Sequence, residues 1–370
     1  MKITKISLLN FRNYDKTDIK FNENMNIFVG ENAQGKTNIL ESIVILALTK
    51  SHRVGVNPNI IKFNKSRCSI KGTIKKNKLI SKLEYRQKDD KKELFINNKK
   101  INRNSDYLSN LNVIVFIPDD LEIIKGSPVF RRNLLNIELC QIFNKYVNTY
   151  NEFNKILKTR NEYLKILFNN GLADKNYLDI LTDKLIEKSI LIYQLRNTFI
   201  NEINEVINDN FKELGGIGNI TIKYNPNISF ESYEDEYLIN NLRKNFDDNY
   251  YKELKYGMTL FGPHRDDFNI ILDDIDLKYF GSQGQQKLAI LAFKLSEISI
   301  FKKYTNYNPI LLLDDILSEF DLKKRNKILK YINNLNIQSI ITTTDLKNIN
   351  KKYLDNSFVF EVNNGTVERK

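Results

Sequence analysis

The chain has 370 residues, enough for two or three domain-sized units and a substantial buried core. Its 57 Lys and Arg against 45 Asp and Glu give a formal net charge of +12, which favours a polyanionic partner, although codon bias in a chain rich in Lys, Asn and Ile explains the charge equally well. The sequence has no uncharged apolar stretch of 18 residues, so we expect no membrane span. Its first residues do not resemble a signal peptide, so we expect a cytoplasmic protein. Cys68 and Cys140 are far apart and lack metal-ligand spacing, so we expect reduced, structural thiols.

Hydrophobic periodicity predicts a mixed α and β first lobe. Its elements are a strand (2–10), a turn (11–14), a second strand (18–21), a strand ending at Val29, a helix to Thr49, antiparallel strands between 69 and 101, and a strand at 113–116. Pro118 then begins a polar, helix-capping segment. Residues 1–130 therefore form the first part of the predicted fold.

Long helical periodicity follows Arg132 and runs to about residue 214, with Asn169, Asn170 and Gly171 separating two helices of roughly 40 residues. The many aromatic residues favour a compact subdomain over an extended arm. We place this inserted, mainly helical lobe at 131–255. Either form interrupts the mixed α and β pattern of the flanking residues.

Strand-like character returns at 218–224 and at 258–272, where we expect Gly262 to Asp267 to form a hairpin tip. After Gly281 the pattern predicts a helix, an apolar strand, another helix, a strand at 339–343 and a closing pair of strands around Asn364. Residues 256–370 thus complete the first lobe. The predicted fold class is α/β, with a mixed sheet and an inserted helical lobe.

A phosphate-binding motif, G-x-x-x-x-G-K-T, lies directly between a predicted strand and a predicted helix. Its residues are Gly30, Glu31, Asn32, Ala33, Gln34, Gly35, Lys36 and Thr37. In this setting backbone N–H groups turn toward phosphate oxygens, Lys36 contacts the β- and γ-phosphates, and the Thr37 hydroxyl ligates Mg²⁺. A glycine turn before a helix is the alternative, but the strand context favours a nucleoside triphosphate with Mg²⁺.

Two acids, Asp314 and Asp315, end the apolar strand 309–313, and an α/β sheet delivers its active-site residues at such strand ends. We expect Asp314 to hold Mg²⁺ and Asp315 to orient and deprotonate the attacking water. The pair could instead cap the next helix. A Mg·ATP site needs both a phosphate loop and an acidic strand end, which favours the catalytic interpretation.

A second anion site is indicated where Ser282, Gln283, Gly284 and Gln285 open a helix. This turn has a free helix N-terminus and a serine hydroxyl, but no phosphate-binding residues of its own nearby in the sequence. Ser318, Glu319, Phe320 and Asp321 follow the acidic pair.

The chain resembles the ABC-type ATPase heads of the SMC and Rad50 class and, within that class, the RecF family. The resemblance lies in the order of its motifs: phosphate loop, long insertion, S-x-G-Q turn, acidic strand end and S-E-x-D. Further motifs carrying this resemblance are 10–14, 50–53, 116–121, 125–128 with Arg131 and Arg132, and 262–267. The resemblance covers nearly the whole chain. It implies a P-loop ATPase head of the ABC type.

The resemblance also implies that two heads face each other, with each ATP between the phosphate loop of one and Ser282, Gly284 and Gln285 of the other. Asp321 would then lie near Asp321 of the other head. Asp119 and Asp120 would belong to the lobe-coupling segment, and Arg12 would lie near the base or ribose. Thr343 and Thr344 would occupy the switch position. The general ABC pattern has Glu where Asp315 stands and His at the switch. These departures suggest slow turnover.

The function implied by the resemblance is a weak DNA-dependent ATPase of recombinational repair and replication restart. It would bind single- and double-stranded DNA at gaps as an ATP-induced homodimer and act with RecO and RecR to load RecA. No helix-turn-helix or zinc motif is present, so we expect binding through phosphates; lysine clusters such as 75–78 are more often solvated, and no DNA residue is assigned. The alternatives are an SMC or Rad50-like tether, whose arms would be longer, a transporter's ATPase subunit, and a small-molecule phosphotransferase.

Overall fold

The computed structural model describes residues 1–51, 60–170, 174–346 and 349–370. Within these ranges the strands are β1 (Lys2–Phe11), β2 (Tyr14–Lys20), β3 (Met25–Val29), β4 (Arg67–Lys76), β5 (Leu79–Lys88), β6 (Lys91–Ile96), β7 (Lys99–Ile101), β8 (Val113–Phe116), β9 (Ile220–Asn225), β10 (Asp267–Leu272), β11 (Ile275–Asp276), β12 (Ile310–Leu313), β13 (Ser339–Thr343), β14 (Ser357–Asn363) and β15 (Thr366–Arg369). The helices are α1 (Lys36–Leu48), α2 (Asn104–Tyr107), α3 (Glu122–Lys125), α4 (Pro128–Ile142), α5 (Asn144–Asn170), α6 (Lys175–Glu213), α7 (Asp235–Asp248), α8 (Tyr250–Tyr256), α9 (Leu277–Phe280), α10 (Gln283–Thr305), α11 (Leu322–Asn334) and α12 (Lys351–Asp355).

The chain divides into two compact units. The first comprises Met1–Leu121, Val206–Gly218 and Ser282–Lys370, and the second comprises Glu122–Glu205 and Asn219–Gly281. Relative to the inserted lobe placed at 131–255, the second unit extends further at both ends and lacks 206–218. The end of α6 belongs to the first unit because Asn210 donates to Ser296 Oγ on α10 at 2.7 Å and accepts a hydrogen bond from Tyr331 on α11.

The first unit contains two six-stranded sheets. One has the order β2-β1-β4-β5-β6-β7 with antiparallel neighbours, as predicted for residues 69–101. The other has the order β15-β14-β3-β13-β12-β8, in which only β15 runs antiparallel. All four residues of β12 are buried, which explains its continuous apolar sequence. The predicted mixed α/β character is confirmed.

Helix α1 contacts β4 and β5 of the antiparallel sheet and β8 and β13 of the mixed sheet. Ten of its thirteen residues are buried, so its sequence is apolar around most of its circumference. One hydrophobic cluster includes α1 residues such as Ile39 and Val44 and core residues from both sheets. The phosphate-binding motif therefore begins a helix that packing holds on two sides.

The second unit consists of α3 to α9, except the last turns of α6, together with a three-stranded antiparallel sheet in the order β11-β10-β9. The predicted break near Gly171 falls on residues 171–173, which lie outside the described part of the chain. One unbroken helix from Arg132 to Asn169 was a wrong prediction, because α4 ends at Ile142 and Phe143 adopts an extended conformation. No Gly or Pro marks this break, which is accompanied by a tertiary hydrogen bond from Tyr146 to Asn136 at 2.7 Å.

The predicted hairpin tip at Gly262 to Asp267 is also wrong. Pro263–Arg265 forms a 3₁₀ turn, and β10 begins only at Asp267 and pairs with β9. The segment instead joins a buried network, because the Arg196 guanidinium on α6 donates to Asp266 Oδ2 at 2.8 Å and to Pro263 O. Arg196 and Asp266 are 1% and 0% exposed, so the sequence motif encodes an internal ion pair of this unit.

Among the described helices, none is long and apolar enough to cross a membrane.

Substituting Asp266 by Asn should destabilise the protein by about 3–5 kcal/mol, because it leaves the Arg196 charge buried without its counter-ion. Urea unfolding followed by circular dichroism measures this change. Arg243→Met is the matched control, since the Arg243–Asp183 pair is roughly half exposed and should contribute at most about 1 kcal/mol. Equal effects of the two substitutions would contradict the assigned importance of the buried pair.

Burial lowers the pKa of His264 to about 4, with Arg265, Arg132 and Arg196 adding to the shift. The ring Nε2 lies 3.2 Å from Thr259 O, which requires a protonated Nε2 in the neutral ring. Since the unfolded chain binds this proton near pH 6.5 and the folded chain does not, stability should fall as the pH drops from about 6.5 toward 4.

From pH 7 to pH 5 we expect His264 to account for a loss of at most about 2 kcal/mol in unfolding free energy. The variant His264→Gln cannot titrate and should lose correspondingly less over the same interval. Urea unfolding of both proteins at the two pH values measures the difference. An identical pH dependence would show that folding leaves the pKa of His264 unchanged.

Candidate nucleotide-binding site

The phosphate-binding loop runs from Gly30 to Gly35, between the end of β3 and the first residue of α1. Gly35 has φ of 116°, a left-handed conformation that favours glycine. A Cβ at Gly35 would lie 2.5 Å from Asn13 Nδ2, so the position also lacks space for a side chain. Glu31, Asn32 and Ala33 are exposed at the tip of the loop.

Residues of the β1–β2 turn support this loop, a role that the sequence motif did not indicate. Asn13 Nδ2 donates to Gln34 O at 3.0 Å, and Tyr14 Oη donates to Gly35 O at 3.1 Å. Asn13 Oδ1 in turn accepts from Asn38 Nδ2 on α1 at 2.9 Å. The loop is therefore hydrogen-bonded to the antiparallel sheet as well as to its own helix.

The turn between β14 and β15 supports the loop from a second direction. The backbone N–H of Asn364 donates to Gln34 Oε1 at 2.7 Å, and that of Gly365 donates to Gln34 O at 3.3 Å. Only the tertiary structure brings Gln34 and Asn364, 330 positions apart, together. The Gln34 carbonyl consequently accepts from both Asn13 and Gly365.

Lys36 lies within the curve of the loop. Its ammonium donates to Gly30 O at 2.6 Å and to Glu31 O at 2.7 Å. Burial lowers the pKa of Lys36, and the charges of Asp315 and Asp314 partly oppose this shift. The Lys36 ammonium, held here by backbone carbonyls, can donate a hydrogen bond to a phosphate oxygen. The negative charge of that phosphate would stabilise the charged form of Lys36, which burial disfavours.

Asp314, directly after β12, connects β13 with the first turn of α1 through one carboxylate oxygen. Its Oδ1 accepts from Thr37 Oγ1 at 3.0 Å and from Thr342 Oγ1 on β13 at 2.6 Å. Thr342 was not among the predicted site residues, although it lies in the predicted strand 339–343. A carboxylate and a hydroxyl at this separation form the hard-oxygen set that Mg²⁺ prefers.

Asp315 has φ of 48°, and its backbone N–H donates to Thr342 Oγ1 at 2.9 Å. Its Oδ1 is buried with no hydrogen-bond partner within the described structure. Burial raises the pKa of Asp315, while a hydrogen bond from Ser318 and the charge of Lys36 partly oppose the shift. An unpartnered carboxylate oxygen at the site suits a water molecule that would donate to it.

These side chains meet in a cavity of about 410 Å³, a size typical of small-ligand sites. The described residues that line it are Asn32, Ala33, Gly35, Lys36, Thr37, Asn38, Pro118, Asp314 and Asp315. Both predicted halves, the phosphate loop and the acidic strand end, therefore contribute to one cavity. The donors and acceptors present fit a nucleoside triphosphate with a divalent cation.

Ser282, Gly284 and Gln285 are not buried and do not belong to the described lining of this cavity. Ser282 caps α10 in a capping box, accepting from Gln285 N at 3.3 Å while its own N–H donates to Gln285 Oε1 at 2.9 Å. The other backbone N–H groups of this first turn face no nearby acidic residue on their own helix. The turn is thus accessible to an anion from another molecule.

Arg12 lies in the β1–β2 turn, and its guanidinium binds Glu41 on α1 through two hydrogen bonds of 2.9 and 2.6 Å. It is also absent from the described lining of the cavity, so a contact with base or ribose stays a prediction. Thr343 Oγ1 donates to Asp345 O at 3.0 Å. His52 and Arg53, part of the motif at 50–53, lie outside the described residues.

Asp321 caps α11 by accepting from Lys324 N at 2.9 Å and is exposed. Asp119 is exposed, whereas Asp120 Oδ2 accepts from Ile117 N at 2.9 Å. Burial raises the pKa of Asp120 to about 6. Both acids adjoin Pro118, which lines the cavity.

Replacing Asn13 by Ala should weaken ATP binding about tenfold, because the loop loses two hydrogen bonds that hold Gln34 and Asn38 in place. Titration with a fluorescent ATP analogue measures the change. Asn102→Ala provides a control at an exposed position. Unchanged affinity in the Asn13 variant would show that the loop keeps its geometry without this support.

The chain is similar over nearly its whole length to proteins of one family. The RecF/RecN/SMC N-terminal domain family matches residues 2–368. The DNA replication and repair protein RecF of Clostridium kluyveri is 40% identical over 380 residues, covering all of both chains. A structure of the recombination mediator protein RecF with ATP superposes with a TM-score of 0.91 at 29% identity, covering 100% of this chain and 97% of that one.

An SMC head bound to the winged-helix domain of ScpA shares the fold alone, with a TM-score of 0.57 at 16% identity over 100% of this chain and 97% of its own. The predicted fold class, an α/β ABC-type P-loop ATPase head with an inserted helical lobe, is confirmed. The chain belongs to the RecF family.

Proposed function

We propose that this protein is an ATP-dependent DNA-binding protein of recombinational repair and replication restart, with slow ATP hydrolysis. The observation that carries the proposal is the single cavity in which Lys36, Thr37, Asp314 and Asp315 meet. Two comparisons support a role in recombinational repair. The relatives are named as DNA replication and repair proteins, and a similar structure is that of a recombination mediator with ATP.

Within the cavity the residues divide into distinct roles. Lys36 and the N–H groups of the loop bind the phosphates, while Thr37 and Asp314 supply oxygen ligands for Mg²⁺. When bound, the metal ion neutralises charge on the phosphate oxygens. Asp315 Oδ1 accepts a hydrogen bond from the attacking water and takes its proton, a role that its raised pKa favours.

Ser282, Gly284 and Gln285 complete the site from a second copy of the chain. Support comes from their accessibility and from their separation from the cavity lining of their own copy. ATP bound between two copies would then hold the dimer together, and hydrolysis would release it. The short Asp315 side chain and the Thr343–Thr344 pair at the switch position suit slow hydrolysis, and we propose that DNA stimulates it.

The partners follow from the family. We propose DNA as ligand, single- or double-stranded at gap junctions, and RecO and RecR as partners through which RecA is loaded. The similar ATP-bound protein is described as a recombination mediator in the RecFOR pathway, which supports these partners. The net charge of +12 on the present chain is compatible with a DNA ligand.

Light scattering without nucleotide, with Mg·ADP and with Mg·ATP tests the dimer directly. Asp315→Asn should trap ATP and give twice the monomer mass only with Mg·ATP, because ATP binds but hydrolysis is slowed. Lys36→Met should stay monomeric, since it removes a phosphate ligand. A monomer in every condition, or identical behaviour of both variants, would refute the composite site and the division of roles.

A further inference from the structure

The positive charge of the chain is concentrated in one part of it. Residues 60–103 contain 15 Lys and Arg but only four Asp and Glu, a net charge of +11 against +12 for the whole chain. Codon bias along the chain would distribute the excess more evenly. This segment includes β4 to β7, which form four of the six strands of the antiparallel sheet.

Alternation along the strands puts eight of these 15 cations on one face of the sheet. On β4, Cys68, Ile70, Gly72 and Ile74 are buried, whereas the intervening residues are not. On β5, Leu83 and Tyr85 likewise belong to the hydrophobic core. Because α1 contacts both strands, the core side faces that helix, and the opposite side, here called the outer face, is directed to solvent.

Strand pairing identifies the charged members of the outer face, because residues paired across neighbouring strands share a side. They comprise twelve cations and three carboxylates. The cations are Lys2, Lys5, Lys16, Lys20, Arg67, Lys71, Lys75, Lys82, Arg86, Lys88, Lys91 and Lys100, and the carboxylates are Asp18, Glu84 and Glu93.

Ion pairs account for only part of this charge. Glu84 is 8% exposed by side chain and lies under Lys71 and Arg86, at 3.3 and 2.6 Å. Seven outer-face cations have no carboxylate within 4.0 Å in the described part of the chain: Lys2, Lys16, Lys20, Arg67, Lys82, Lys88 and Lys91. Like charges are even paired directly, as in Arg67 with Lys88 and Lys88 with Lys91. Such pairs destabilise a sheet unless an anion covers them.

We infer that the outer face of this sheet is a docking surface for the phosphate backbone of duplex DNA. This inference rests on the proposed DNA-binding function and locates it on named residues. Lysines on alternate positions of neighbouring strands form a two-dimensional array of point charges, which suits sequence-independent binding to phosphates. If all seven cations without a carboxylate partner contact phosphates, log Kd should change with log salt concentration with a slope of about 6.

The chemistry of the face favours duplex DNA over single strands or a membrane. Phe95 is the aromatic residue of the outer face, and the Arg86 guanidinium covers its ring at 4.3 Å from the centroid. Single-strand binding without sequence preference uses open aromatic rings for base stacking. Membrane binding uses a broad apolar face beside the cations, whereas here the broad apolar face is turned to the core and the exposed aliphatic residues of the outer face, Leu9 and Ile80, lie on different strands.

The test is a triple variant, Lys82→Gln, Lys88→Gln and Lys91→Gln, with duplex binding measured by fluorescence anisotropy in Mg·ATP over a range of salt concentrations. The matched control is Lys184→Gln, Lys244→Gln and Lys252→Gln, which removes the same charge from helical positions of the second unit. The outer-face variant should lower the salt slope by about 3, whereas the control should leave it unchanged. Light scattering in Mg·ATP confirms that both variants retain the assembly state of the unvaried protein.

Equal salt slopes for variant and control would overturn the outer-face assignment while leaving the proposed function intact. Failure of the unvaried protein to bind duplex DNA at any salt concentration would refute both. Vesicles of phosphatidylserine and phosphatidylcholine, and a single-stranded oligonucleotide of equal length, are the competing probes. Selective loss of vesicle or single-strand binding in the outer-face variant, with duplex binding kept, would also overturn the inference.

Discussion

The nucleotide site depends on one shared acceptor, Asp314 Oδ1, which binds the hydroxyls of Thr37 and Thr342. These residues follow or belong to β3, β12 and β13, three strands whose parallel pairing brings their carboxyl ends to one edge of the sheet. The Asp314 carboxylate can bind a cation, and its hydrogen bond to Thr37 also holds the phosphate loop next to the acidic end of β12. Nucleotide binding and hydrolysis would therefore both depend on Asp314.

Buried charge serves a different purpose in the second unit. Arg196 with Asp266 and Arg160 with Glu253 are ion pairs with both members at most 2% exposed. Such pairs contribute little net stability, but removing one partner is costly because the other charge is left uncompensated. They hold irregular segments, such as the 3₁₀ turn at Pro263–Arg265, to helices that lie far away in sequence. A motif such as G-P-H-R-D-D can thus be specific to a family because it specifies packing.

The antiparallel sheet combines structural and electrostatic roles through its two faces. Its core side packs on α1 and so supports the helix that carries Lys36 and Thr37. Its outer face holds eight of the 15 Lys and Arg of residues 60–103. The β1–β2 turn of the same sheet bonds to the phosphate loop through Asn13 and Tyr14. A ligand on the outer face would therefore be bound to the same sheet that supports the nucleotide loop.

The sequence by itself determined the features whose cause is local. The phosphate loop, the acidic strand end and the S-x-G-Q turn are each encoded by consecutive residues, and strands such as β12 are encoded by uninterrupted apolar runs. The antiparallel character of 69–101 followed from alternation and from Asn and Asp turns. These features could be predicted because short-range sterics and backbone hydrogen bonding decide them.

Only the tertiary structure decided which distant residues meet. Gln34 with Asn364, Asp314 with Thr342, and Arg196 with Asp266 are separated by 28 to 330 positions, and no local pattern relates their side chains. The break at Phe143 and the 3₁₀ turn at Pro263–Arg265 also depend on partners from other elements. Likewise, the lysines of 60–103 resemble ordinary solvated residues until strand pairing places six of the twelve on one face. Long-range packing decides these features, because the free energy of each contact depends on neighbours that only the folded chain supplies.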